Sequence, residues 1–156
     1  MRLSTRGQYA VRALIDLAYH SHLRPVRLES IAQREEISIT YLEQLFLKMR
    51  RRKLVKSVRG PGGGYLLSRP AKEITVAEII EAVEEPLTPV ACLENFRCDL
   101  SNRCVAQEVW RELGSRIKGF LSSLTLEDLV TRYHLIQMTR EEVLRRKGDA
   151  QDLHGS

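Results

Sequence analysis

The run Gly60-Pro61-Gly62-Gly63-Gly64 constrains this chain more than any other stretch. No helix passes through it, because glycine is costly to order and proline lacks an N–H. The residues on either side, LeuValLysSerVal from 54 and TyrLeuLeu from 65, favour strands. A β-hairpin over residues 54–68 is expected, closed by Pro70. Its glycines do not make it a nucleotide loop: it lacks the Lys-Ser/Thr of a P-loop and the G-x-G-x-x-G spacing. A merely structural turn does not account for three consecutive glycines beside a proline. A loop that approaches another surface closely does.

Everything around the hairpin reads as helix. Over residues 4–22, Ala10, Val11, Leu14, Leu17 and Ala18 recur at helical intervals, and Thr5 and Gln8 have capping-box spacing. Pro25 ends that pattern, and a short amphipathic helix follows over 28–35. Ser38 is the expected N-cap of a third helix running to Arg51, where Arg50, Arg51, Arg52 and Lys53 complement the C-terminal dipole. Beyond the hairpin, Thr75 opens a helix to about Glu84. Pro86 and Pro89 lead into an irregular segment. The longest helix is expected from about Asn102 to Leu124, with Val105, Val109, Leu113, Ile117, Phe120 and Leu124 in one stripe, widened by Trp110 and Leu121. A short helix over 125–133 and a partly disordered tail over 134–156 complete the chain.

With 156 residues, 43% of them apolar, the chain can bury a core without disulfide staples. Its apolar runs are too short to span a bilayer. The first apolar stretch is broken by Arg12 and Asp16 and lacks a cleavage site, so a soluble cytoplasmic protein is expected. Residues 1–70 carry 14 basic and 5 acidic side chains, a balance of +9, whereas residues 71–156 carry 11 and 15, a balance of −4. That asymmetry points to a polyanion-binding face on the first half alone.

Two short helices joined by a tight turn and followed by a hairpin are the parts of a winged helix-turn-helix, whose second helix enters the major groove. Leu42, Leu45, Phe46 and Met49 form the expected buried side of that helix. Thr40, Glu43, Gln44, Leu47 and Arg51 are left outside. Gln pairs with adenine, Thr meets a thymine methyl or a phosphate, and Glu accepts from cytosine N4. At the hairpin tip Arg59 is placed to enter a narrow minor groove. The candidate DNA-contacting set is therefore Thr40, Tyr41, Glu43, Gln44 and Arg51 on the helix, with Arg59, Gly60 and Pro61 at the wing tip.

Cys92, Cys98 and Cys104 are evenly spaced within one loop. Neither the paired C-x2-C of structural zinc nor the C-x2-C runs of ferredoxins match them. Three thiolates in one loop still suit a zinc ion or an iron–sulfur cluster with a fourth ligand, for which Gln107 and Glu108 are the nearest donors. Histidines His20, His22, His134 and His154 are distant in sequence, so catalysis by a lone thiolate has no base. No acid–base pair or cofactor loop supports an enzyme.

The stretches MRLSTRGQYAVRAL, ISITYLEQLF, SVRGPGGGYLLS and WRELGSRIKGFL, with the three cysteines, resemble the IscR-like iron–sulfur cluster-binding transcriptional regulators over roughly residues 1–132. That resemblance implies a mainly α fold: a winged helix-turn-helix domain over 1–85, a cysteine cluster-binding loop over 86–104, and dimerisation helices over 102–133. It implies a homodimer whose long helices cross between subunits, on palindromic double-stranded DNA. Positions Thr40, Glu43 and Gln44 would touch bases and Arg59 the minor groove, while Cys92, Cys98 and Cys104 would hold a [2Fe-2S] cluster that gates DNA binding. The genes controlled would serve cluster assembly or related iron and redox functions, mostly by repression. One departure stands out: such regulators place a histidine ligand three residues after the last cysteine, where this chain has Gln107. An amide oxygen is a poor ligand for iron beside imidazole. Glu108, a partner residue or solvent would then complete the shell. Two other readings remain open here: a nitric-oxide- or thiol-redox-sensing regulator of the same fold, and a cluster carrier without specific DNA binding.

Overall fold

The computed structural model describes residues 4–84 and 104–152. In chain order these form α1 (Thr5–His20), α2 (Leu28–Glu35), α3 (Ile39–Arg51), a hairpin of β1 (Val55–Val58) and β2 (Gly64–Leu67), a 3-10 turn (Ala71–Glu73), α4 (Val76–Val83), α5 (Val105–Ser123) and α6 (Leu126–Asp152). Cys92 and Cys98, and the expected start of the long helix at Asn102, lie outside the described residues.

Helix α1 runs through the middle of the fold and touches α2, α3, α4, α6 and β2. Its inner face is Ala10, Ala13, Leu14 and Leu17, all fully buried, and the two alanines let neighbouring backbones come close. Against it pack Ile31 of α2, Leu42, Leu45, Phe46 and Met49 of α3, Ile79 and Val83 of α4, and Leu126 of α6. Asp16 on the same helix is 1% exposed. A buried carboxylate is tolerable only when paired. Arg34 of α2 supplies two hydrogen bonds to it, at 2.8 and 2.7 Å, and that bonding raises the Arg34 pKa.

The expected N-cap of α1 shifts by one residue: Ser4, not Thr5, occupies the position, and its side chain makes no bond to the helix it precedes. Ser38 and Thr75 cap as expected. Ser38 Oγ accepts from the Tyr41 N–H at 3.1 Å. Thr75 and Glu78 close a full capping box on α4. A second reciprocal pair opens α6, where the Thr125 N–H donates to Asp128 at 2.9 Å and the Asp128 N–H to Thr125 Oγ1 at 3.2 Å. The two caps meet: Thr75 bridges Thr125, the Val76 N–H donates to Leu124, and the Leu126 N–H donates to Ile74. With Leu126 fully buried, this joint fastens the C-terminal helices to the rest of the chain.

Two expectations for the C-terminal part are corrected. Helix α6 has 27 residues against 19 in α5, so it is the longer and not a short helix ending near 133, and it runs to Asp152, into the segment expected to be a partly disordered tail. Residues 134–147, HisLeuIleGlnMetThrArgGluGluValLeuArgArgLys, contain no Gly or Pro and many strong helix formers. A Glu142–Arg146 ion pair one turn apart adds support. Polarity marks this helix as solvated, not as unfolded.

Burial raises the Glu78 carboxyl pKa, but the bonds from the Thr75 N–H and from Arg69 outweigh it, holding the group below its ordinary value of 4.5. The sign follows directly. A depressed folded pKa adds stability above that value, and the stability is lost as pH falls through the acid range. Removing the cap with Thr75→Ala is expected to cost about 1 kcal/mol in urea unfolding at pH 7. Glu78→Gln is expected to be less stable than the wild type at pH 7, with the gap closing below pH 4.5, measured by unfolding across pH.

Candidate nucleic-acid interface

The recognition surface is built on α3. Leu42, Leu45, Phe46 and Met49 are buried to within 1% of full, as the sequence spacing requires. The opposite side presents Thr40, Glu43, Gln44 and Arg51 as exposed side chains. Leu47, 40% exposed, sits among them as an apolar contact of the kind that meets a thymine methyl. Tyr41 differs from its neighbours. It is half-buried and packs edge-on against Tyr9 of α1, with ring centroids 5.8 Å apart. Its first task is to seat α3 on α1.

The wing is placed by contacts at the free edge of β2 and on one face. Strands β1 and β2 pair antiparallel from Val55–Leu67 to Val58–Gly64. Tyr65 exchanges two backbone hydrogen bonds with Val26, at 2.9 and 2.7 Å, and stacks edge-on against Phe46 with centroids 4.9 Å apart. The tip is a tight turn in which the Gly63 N–H donates to Gly60 at 2.9 Å. Pro61 and Gly62 hold its central positions, and Gly62 has a positive φ of 75°, the residue order of a type II turn. A Cβ on Gly64 would meet the Val26 carbonyl oxygen at 2.5 Å. The glycines thus have local backbone reasons, contrary to the expectation that a structural turn could not account for them. What the tip offers a duplex is a thin profile with exposed Arg59, Gly60 and Pro61.

A group the sequence did not join lies beside this face. Arg6 of α1, Lys48 and Arg51 of α3, and Arg52 line a cleft of about 410 Å³ together with Glu81 of α4 and Glu84, which follows its last turn. Only the fold brings Arg6 to α3, so no local signal could have shown it. Three histidines expected to be scattered also meet: His20, His22 and His134 surround Tyr19, with ring centroids 5.0, 6.4 and 5.9 Å away.

Of the cysteines, Cys104 is described. It is a free, half-buried thiol at the N-cap of α5, and its side chain makes no capping bond. Its sulfur is therefore not consumed by the helix, and a thiolate donor set fits an iron–sulfur cluster better than a hard cation. One turn on, Gln107 is buried and Glu108 is exposed. Along α5 much of the apolar stripe stands open to solvent: Val105 is 79% exposed, Val109 56% and Phe120 64%, with Trp110 and Leu113 also exposed, whereas Ile117, Leu121 and Leu124 are half-buried. Helix α6 carries a further open set, Leu135, Ile136, Met138, Val143 and Leu144. Among the described residues, no helix is long and apolar enough to cross a membrane.

A mainly helical head with a capped recognition helix and a two-stranded wing defines a winged helix-turn-helix DNA-binding protein. Residues 3–132 match the Rrf2 family model, described as iron-dependent transcriptional regulator. The chain belongs to the Rrf2 family, and it is a transcriptional regulator, not an enzyme. It is 49% identical to the HTH-type transcriptional regulator IscR of Photorhabdus laumondii over 88% of this chain and 84% of that one. With the IscR of Salmonella paratyphi B it shares 42% over 97% and 95%. Among solved structures, that of T. potens IscR superposes with a TM-score of 0.71 at 39% identity, covering 85% of this chain and 88% of that one. CymR, the global cysteine regulator of B. subtilis, superposes at 0.73 with 38% identity, covering 85% and 98%.

Gly64→Ala is expected to cost about 1–3 kcal/mol, because the new methyl group must displace the Val26 backbone or the wing. Thermal unfolding checks the stability, and DNA titration checks the accompanying loss of affinity. A variant as stable and as tight-binding as the wild type would contradict this seating of the wing.

Proposed function

We propose that this chain is a homodimeric, cluster-gated DNA-binding regulator, mostly a repressor, acting in the cytoplasm on genes for iron–sulfur cluster assembly or related iron and redox functions. The observation that carries the DNA-reading part is the exposed Thr40, Glu43 and Gln44 set on a helix whose opposite side is fully packed, beside a thin wing tip bearing Arg59. Thr40, Glu43 and Gln44 read base edges, Arg51 and the basic cleft face the phosphates, and Arg59 enters the minor groove with Gly60 and Pro61 against the backbone. Tyr41 contributes through its packing on Tyr9. The open apolar stripe of α5 supports pairing with a second copy, since contiguous apolar surface of this kind is covered in stable proteins. Two heads related by a two-fold axis call for a palindromic operator.

Cys92, Cys98 and Cys104 hold a [2Fe-2S] cluster in this reading, and the cluster supplies a centre whose presence depends on iron and oxidants. The name IscR on close relatives and the family description as iron-dependent support it. Gln107 lies one turn from Cys104 on its side of α5 and is the nearer candidate for the fourth position, with Glu108 the second. Gln107→His is expected to slow bleaching of the cluster in air, followed by visible absorbance. Unchanged or faster bleaching would count against a missing ligand at this position.

Fluorescence titrations at fixed salt test the DNA-reading assignment. Glu43→Ala is expected to relax base preference, bringing specific and scrambled sites closer together by about 1–3 kcal/mol. Arg59→Ala is expected to weaken binding to most sites and to lower the slope of log K against log salt by about one. Equal losses on specific and scrambled DNA for Glu43→Ala would overturn its role.

A further inference from the structure

The first turn of α1 is capped from the far end of the reading head. Ser4 holds the N-cap position but gives its hydroxyl away: Ser4 Oγ donates to Glu84 Oε1. The Gly7 N–H, one of the unpaired donors that begin any helix, donates to the same oxygen at 2.9 Å. The two bonds join residues 80 and 77 positions apart. A carboxylate at this place also meets the positive end of the α1 dipole.

Glu84 is the C-cap of α4. Its own N–H donates to Ile80 at 3.0 Å, and its backbone is extended, with φ −122° and ψ 166°. The carboxylate is thus fixed to the end of α4, at the joint from which residues 85–103, with Cys92 and Cys98, continue. Contacts from this joint lead to the recognition helix by two routes. Tyr9, two residues after Gly7, packs edge-on against Tyr41 of α3. Lys48 of α3 donates to the Val83 carbonyl at 3.5 Å. Glu84 also lines the cationic cleft with Arg6, Lys48, Arg51 and Arg52.

We propose that Glu84 is the positioning residue through which the cysteine segment acts on the reading head: its bonds to Ser4 and Gly7 tie the end of α4 to the start of α1, and α1 seats the recognition helix. This rests on the cluster-gated reading above. A cluster on Cys92, Cys98 and Cys104 changes DNA affinity only through contacts that differ between the loaded and free states. In this reading the Glu84 cap is that contact, since its bonds to Ser4 and Gly7 link this joint to the α1 terminus.

The test measures operator Kd by fluorescence anisotropy for cluster-loaded and cluster-free protein, with iron and sulfide assayed on every loaded sample. Wild type, Glu84→Ala, Glu84→Gln and Ser4→Ala are compared, with Thr75→Ala as a variant that weakens α4 without touching the cap. The ratio of the two Kd values is the readout, because a merely structural loss lowers Tm and moves both states together. Glu84→Ala is expected to bring the ratio at least ~fivefold closer to one, the scale of an allosteric coupling. Glu84→Gln, which keeps an acceptor for the Gly7 N–H, retains part of the ratio. Thr75→Ala lowers Tm and leaves the ratio in place. A ratio within about twofold of wild type in Glu84→Ala overturns the proposal; if that variant does not fold, Ser4→Ala decides on the same criterion. A wild-type ratio of one overturns the cluster-gated reading and this coupling with it, whereas a large wild-type ratio that survives loss of the cap overturns the coupling alone.

Discussion

The contact between Phe46 and Tyr65 holds the two candidate reading elements of this protein in one pose. Phe46 is fully buried beneath the recognition helix, and its ring meets Tyr65 of the wing edge-on at 4.9 Å. Aromatic pairs of this kind add about 0.5–1.5 kcal/mol beyond the area they bury, and they also set an angle. Tyr65 is in turn locked to Val26 by two backbone bonds, so the wing cannot slide along α3 without breaking them. A helix and a wing that address neighbouring grooves must hold a fixed separation, and this is the interaction that provides it.

Beyond that head, the molecule divides by what is covered. The first four helices and the wing bury their apolar faces on one another, around α1. Helices α5 and α6 leave much of theirs open, beyond the Leu126 joint, the packing of α5 on α4, and the contacts of α6 with α1 and the 3-10 turn. Charge divides in the same way, with the basic excess confined to the first 70 residues. A DNA-facing head and a C-terminal half suited to a second copy are the physical roles that fit, with the cysteines between them in the chain.

Local signals in the sequence were sufficient wherever the cause was local. Ser38 and Thr75 are residue types that cap a helix with their own side chains, and both do so. The buried side of α3 follows from spacing alone, since one strip of a 3.6-residue helix must face the core. Glycines in a row meant a turn, although the reason for each emerged only from the Gly60 carbonyl and the Val26 backbone. Where the cause was distant, the sequence was silent. Ser4 is the cap position of α1 but its partner is Glu84, which no periodicity connects to it. Arg6 joins the cleft, and His134 reaches Tyr19, only after the chain has folded. The tail differs for another reason: its polarity resembles that of a disordered segment, whereas its lack of Pro and its helix-forming residues carry α6 onward to Asp152.

Cluster-gated DNA binding requires that the three cysteines hold iron and sulfide. The most direct measurement is iron and acid-labile sulfide per chain on protein expressed and purified without air, with Cys92→Ala beside it. About two of each per chain, lost in the variant, is the predicted result for a [2Fe-2S] centre. Protein that binds its operator but contains neither iron nor sulfide would contradict the cluster-gated account and leave a winged-helix regulator whose cysteines act, if at all, as thiols.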